Sequence, residues 1–218
     1  MFITLLTLFS IDCRNQSGND LSPRSILVAG IQGKYMLKYV AVAVAVVSLA
    51  ACETTSSRPY TPSTDNIMAF QSALTDGGEK VQLSAFTTAA GVESDMTCRA
   101  LGALEVAPGK TPVSFIEGAM RDELFAAGVY DQKDGSVING KVTNLEFNSF
   151  GTGSWKIALQ LSSDAFPQGY EVSTDYSFKT SYSALKACQN VIDAFTPAVQ
   201  DLIGKAVADP NFGSLVAE

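Results

Sequence analysis

The residues best equipped for chemistry in this sequence are four cysteines, Cys13, Cys52, Cys98 and Cys188, and a scatter of acids; histidine is absent. Without histidine there is no Ser-His-Asp or Cys-His activation of a nucleophile, and no imidazole ligand for zinc or haem. No two cysteines stand in a Cys-x-x-Cys spacing, so neither a redox dithiol nor a cysteine metal site is indicated. The run Asp131-Gln132-Lys133-Asp134-Gly135 opens like a calcium loop but lacks the later ligands and the closing glutamate, and it reads as a turn. Gly151-Thr152-Gly153 precedes a strand pattern rather than a helix, which makes it a hairpin and not a phosphate cradle. The acids Glu117, Asp122 and Glu123 fall off the apolar stripe of the helix that carries them and read as a solvated face. The expectation is therefore that the chain is not an enzyme and holds no cofactor or metal. A carboxylate-pair hydrolase acting on glycans is the weakest alternative, because it requires two convergent acids in a cleft.

The cysteine with the clearest role is Cys52. Residues 37–52 place Lys38 before an uninterrupted apolar run, 40–47, and close it with Leu49-Ala50-Ala51-Cys52. Basic, apolar and small-residue parts in that order make a secretory signal, and the run is shorter than the ~20 residues a membrane span needs. The ending resembles the lipobox of bacterial lipoproteins, which implies cleavage before Cys52 and acylation of its thiol and amine. Glu53 follows where an aspartate would resemble the inner-membrane retention signal of enteric bacteria, so an outer-membrane destination facing the periplasm is expected. Residues 36–51 then form the signal peptide. The 1–35 stretch ahead of it, with its own apolar start and with Cys13 after Ser10-Ile11-Asp12, reads as an extension opened too early by the reading frame.

Four of the 15 basic residues (Arg14, Arg24, Lys34, Lys38) and two of the 22 acids (Asp12, Asp20) precede Cys52, which leaves 11 against 20 and a mature charge of −9. That balance argues against nucleic acid, and against anionic lipid headgroups, as partners. In an oxidising compartment Cys98 and Cys188 read as one disulfide closing a loop of 90 residues; two free buried thiols are the alternative.

These residues need elements to hold them. Residues 52–66 are polar and rich in Pro, Ser and Thr, as expected of a flexible tether, and 67–218 are expected to form one domain. A short apolar segment, 67–74, is followed by a candidate strand at 80–87, with Val81, Leu83 and Ala85 alternating against Gln82, Ser84 and Phe86. A helix is expected from Thr111, a capping residue, and Pro112, which fits a first turn. Val113, Ile116, Met120 and Leu124 form its stripe, and Gly128 ends it. Three strands follow at 137–147, 154–162 and 170–182. The first changes phase near Asn144, which calls for a bulge, and both junctions carry hairpin residues. Trp155 falls on the core face, whereas Phe150 falls at a hairpin tip where it is free to meet a partner. The final helix, 183–208, contains Pro197, so a kink or a break capped by Thr196 is expected. The resulting fold class is α+β, β-α-β-β-β-α: a four-stranded, mainly antiparallel sheet with two helices packed on one face.

A lipobox cysteine, a polar tether and this element order resemble the small envelope lipoproteins that share an architecture with the lipopolysaccharide-assembly lipoprotein, the auxiliary lipoproteins of envelope transport systems and the amino-terminal domain of the Tol-system periplasmic protein. Stretches such as Phe115-Ile116-Glu117, 123–130, 176–180 and Ala187-Cys188 are similar to uncharacterised bacterial lipoproteins. The resemblance covers about 80–215. It implies a non-catalytic interaction or assembly subunit of a cell-envelope complex, with an envelope protein as partner and the membrane reached through acylated Cys52. A carrier of a lipid or other apolar ligand is the alternative, and it would require a pocket lined by Phe and Tyr with few charges.

Overall fold

A computed structural model of the chain describes residues 59–74, 78–99 and 101–216. Cys13, Cys52, the signal segment and the first part of the expected tether lie outside the described residues. The elements run α1 (Thr64–Leu74), β1 (Val81–Leu83), β2 (Thr87–Thr88), α2 (Pro112–Ala126), β3 (Ser136–Asn148), β4 (Thr152–Ser163), β5 (Tyr170–Lys179), α3 (Ala184–Ala208) and a 3-10 turn, Phe212–Leu215. The α+β class is as expected. Among the described residues the sheet has five strands rather than four, and three α-helices accompany it.

The additional strand arises because the 80–87 segment splits. β1 and β2 both pair with β3, in parallel, on the edge away from β4. Phe86, between them, was expected on the solvent side. It is buried instead, because Gly140 on β3 leaves a slot: a Cβ there would stand 2.4 Å from the Phe86 ring. β3, β4 and β5 form the antiparallel part, and the β3–β4 register shifts between Val142 and Asn144, the expected bulge. On β4 the alternation holds, with Trp155, Ile157, Leu159 and Leu161 all buried.

Helix α2 has the ends its sequence specifies. Thr111 accepts from Ser114 N at 3.1 Å, and Pro112 opens the first turn. Gly128 takes φ +74°, its N–H donating to Phe125 O and that of Val129 to Leu124 O, the paired bonds of a Schellman stop. Helix α3 runs unbroken through Pro197, so the expected alternative of a break capped by Thr196 does not occur. A mid-helix proline costs ~3 kcal/mol in isolation. Here Phe195, Val199 and Leu202 on both sides of it are buried, and burying side chains of that size at ~1.5–3 kcal/mol each outweighs the loss. Two buried bonds then pin α3 across the sheet: Trp155 Nε1 donates to Val191 O at 2.8 Å, and the Tyr170 hydroxyl donates to Ala206 O at 2.6 Å.

Candidate docking surfaces

The acids of α2 do not behave as a solvated face. Glu117 accepts from the Phe86 N–H at 3.0 Å and pairs with Arg121 one turn on, so it fixes the link between β1 and β2. Glu123 is wholly buried. Its Oε1 accepts from the Tyr60 hydroxyl at 2.6 Å, Ser63 N at 2.9 Å and Asn66 Nδ2 at 3.2 Å. Asn66 Nδ2 also donates to Gln200 O of α3, and Gln200 Nε2 donates back to Thr61 O. Thus residues 60–66, the end of the expected tether, are a strap clamped onto α2 and α3, and α1 begins at Thr64 rather than 67. Burial first, and then the bond to Glu123, push the Tyr60 phenol far above its ordinary value, so it stays a proton donor. Glu123 Oε2 has no hydrogen-bond partner among the described residues. Asp122 alone of the three acids is exposed.

The second cluster forms around the cysteines. Cys98 and Cys188 are joined, with Cα atoms 5.8 Å apart, and tie the irregular stretch before α2 to the first turns of α3. Beside them, Arg99 has φ +45°, the one positive value among described non-glycine residues. Its Nε donates to Ser149 Oγ at 3.1 Å, Nη2 to Ser149 O, and Nη1 to Ser181 O at 3.1 Å and Tyr182 O at 3.5 Å. The guanidinium also lies 4.2 Å from the centre of the Phe150 ring. One side chain therefore holds the β3–β4 hairpin and the β5–α3 turn together. Around this knot Leu101, Phe150, Tyr182 and Leu185 are exposed, Tyr182 completely.

At the other end of the sheet, where β3 begins and α2 ends, the exposed apolar residues are Met68 on α1, Phe125 on α2 and Val137 on β3. Gln71 Nε2 meets Ala127 O there and brings the two helices together, with Asp65 and Asp122 exposed beside them. β3 alone, 13 residues at ~3.3 Å each, sets the two ends roughly 40 Å apart.

Of the residues singled out in the sequence, Cys98 and Cys188 come together, Phe150 is exposed and Trp155 is buried. Asp131 Oδ1 accepts from the N–H groups of Lys133 and Asp134, an ordinary turn that holds its carboxyl below the usual range. Among the described residues no group of three or more His, Cys, Asp or Glu side chains is placed to hold a metal. A groove of about 390 Å³ lies between the strap and α3, lined by Pro59, Thr61, Ile192, Asp193, Thr196 and others. Its lining is mixed, with Val106 and Pro197 completing it, and carries none of the Phe and Tyr side chains expected of a carrier's pocket.

No protein-family model matches this chain, and neither does any curated protein. Among solved structures it is similar to protein XCC0632 from Xanthomonas campestris, assigned to the family DUF330. The two share 11% sequence identity over 59% of this chain and 84% of that one, with a TM-score of 0.43. A likeness of that degree carries no argument about function, and the readings below rest on the residues themselves.

Proposed function

We propose that this chain is a lipid-anchored, periplasm-facing lipoprotein of the outer membrane that serves as a non-catalytic interaction subunit of a cell-envelope complex. The observation that carries this reading is the strap. The polypeptide leading from the Leu-Ala-Ala-Cys ending is not left to trail, but is fastened to the domain through Tyr60, Ser63 and Asn66 on Glu123. Only six residues separate Cys52 from Pro59, a span of roughly 25 Å over seven steps at full extension. An acylated Cys52 would thus keep the domain within that distance of the bilayer, as a subunit of a membrane assembly requires. The α2 acids support a non-catalytic role, because Glu117 and Glu123 are consumed in structural bonds. Phe125 on α2, largely exposed beside Asp122, pairs an apolar side chain with a charged neighbour, as at the margin of a protein contact.

Membrane fractionation and co-purification test this reading. Several acyl chains at ~0.8 kcal/mol per buried CH₂ hold a protein in detergent and in membranes, so the parent chain should partition there and Cys52→Ala should remain unprocessed or soluble. Phe125→Asp should leave localisation intact and lose a co-purifying envelope protein. A parent chain recovered in the soluble fraction with an unmodified Cys52 overturns the anchor. Hydrolysis of peptidoglycan or a model ester at an enzymatic rate overturns the non-catalytic role.

A further inference from the structure

The rim around Arg99 has a composition unlike the rest of the chain. Its three segments, residues 98–102, 147–154 and 176–186, contain Arg99, Lys179 and Lys186 but no acid, in a sequence with 22 acids against 15 bases. Acids stand at its margins: Glu146 and Asp175 adjoin it along β3 and β5, Glu93 and Asp95 line a groove with Phe147, and Asp193 is eight residues along α3 from Leu185. From Phe150 and Lys179, four residues along the strands, Glu146 and Asp175 are roughly 13 Å away, beyond the ~8–10 Å over which exposed charges act at physiological salt. The overall acidity that argues against anionic lipid as a partner is therefore an average that this end does not share.

The exposed apolar residues there are Leu101, Phe150, Tyr182 and Leu185, on loop tips and a helix start held rigidly by the disulfide and the Arg99 bonds. Aromatic and leucine side chains beside lysines are the chemistry of a surface that lies in the headgroup region of a bilayer. Reach agrees. Pro59, the first described residue after Cys52, lines a groove with Ile192, which is seven residues or about 10 Å along α3 from Leu185. The roughly 25 Å available from Cys52 to Pro59 lets this rim touch the membrane that holds the anchor, whereas the turn at Asp164 is a whole β4 strand, roughly 40 Å, further off.

We infer that this rim is a second, reversible membrane contact: Leu101, Phe150, Tyr182 and Leu185 enter the headgroup boundary of the bilayer, and Lys179 and Lys186 meet its anionic phosphates. The inference rests on the reading of Cys52 as the lipid anchor. It fixes the orientation of the domain, with Phe125, at the far end of the sheet, turned away from the bilayer and open to a partner.

The test uses the acylated full-length mature chain in vesicles of phosphatidylethanolamine and phosphatidylglycerol that carry a lipid-borne quencher. A fluorophore is placed on Thr152→Cys or on Asp164→Cys, both exposed positions at opposite ends of β4. The label at 152 should be quenched several-fold more than the label at 164. The combined change Phe150→Ser, Tyr182→Ser and Leu185→Ser should erase that difference while the chain stays vesicle-bound, and replacing phosphatidylglycerol with a neutral lipid should reduce it. Equal quenching at both labels on an anchored chain overturns this inference alone. Failure of the chain to bind vesicles at all overturns the anchor reading, and this one with it. Shielding at 152 that appears only when an envelope protein is added assigns the rim to that protein and overturns the membrane contact.

Discussion

Glu123 and Arg99 do the same job with opposite signs. Glu123 gathers donors, a phenol, a backbone N–H and an amide, and so fastens the strap; Arg99 gathers acceptors, a hydroxyl and three carbonyls, and so fastens two turns. They differ in where they do it. Glu123 is sealed among helices with one oxygen unpartnered among the described residues, whereas Arg99 sits at a rim and holds exposed apolar residues in place. An ionisable group buried without a counter-charge matters chiefly to stability, because removing it strands its partners away from water. One at a rim exchanges its bonds with solvent at little cost, and what it decides is the shape presented outward. The two clusters should therefore respond differently to substitution.

The largest effect is expected beside Arg99, from the covalent link. Replacing Cys98 and Cys188 with Ser frees a loop of 90 residues and should lower unfolding free energy by about 4 kcal/mol in the chain-entropy account. Denaturant midpoints with and without the bridge measure this. Hydrogen exchange should show the hairpin tip and the start of α3 loosening first; uniform loosening would mean that the bridge does not act locally.

Next in size is Glu123→Ala, expected to cost about 3 kcal/mol, because three donors lose their acceptor inside the core. In a domain of this size that lowers the melting temperature by roughly 10 °C. Arg99→Ala should cost markedly less, since water replaces its bonds at the rim. Equal losses from the two would erase the distinction drawn between them.

That Glu123 had to be found in three dimensions is instructive, because half of the signal was in the sequence. It stands seven residues after Ile116 and three after Met120, both buried, which places it on the stripe rather than off it. Charge argued for the outside, and only the Tyr60, Ser63 and Asn66 groups, 57 to 63 residues earlier, make burial affordable. Local signals were read well where the cause is local: Thr111, Pro112 and Gly128 bound a helix by their own geometry, and the phase change near Asn144 marks a bulge. The disulfide was legible from compartment and count. The strap was not, since its polar composition matches a free tether and its fixation depends on distant partners. Phe86 was misplaced for the same reason, its slot being made by Gly140 on another strand. Nothing local distinguishes Arg99, which sits with positive φ in the tight turn that Leu101 N closes on Cys98 O.

A smaller and pH-dependent effect sharpens the comparison. Burial pushes the Tyr170 phenol up, with Asp209 adding to it, and burial and the Glu123 bond do the same to Tyr60. A raised value in the folded state means that the unfolded chain alone ionises above about pH 10, so stability is intact below that pH and falls as it rises further. For a buried phenol the slope approaches ~1.4 kcal/mol per pH unit. Tyr60→Phe, lowering stability at neutral pH through its lost bond, should make the alkaline decline shallower. Thermal melts from pH 8 to 11 read both, and an unchanged decline in Tyr60→Phe would show that the strap does not hold the phenol from water.

The smallest expected effects concern the exposed apolar residues, and their smallness is the point. Phe125 and Met68 are largely exposed, so Phe125→Ser and Met68→Ser should change stability by no more than ~0.5 kcal/mol. Phe150→Ser also forfeits its contact with the Arg99 guanidinium, worth ~0.5–1 kcal/mol at an exposed site, and should cost slightly more. Large apolar side chains that contribute so little to folding are retained at both ends of the sheet against the pull of solubility, which is what a docking role predicts. Chemical denaturation of the three variants decides it. If Phe125→Ser or Met68→Ser costs 2 kcal/mol or more, that side chain belongs to the core in solution, and its exposure carries no meaning for a partner.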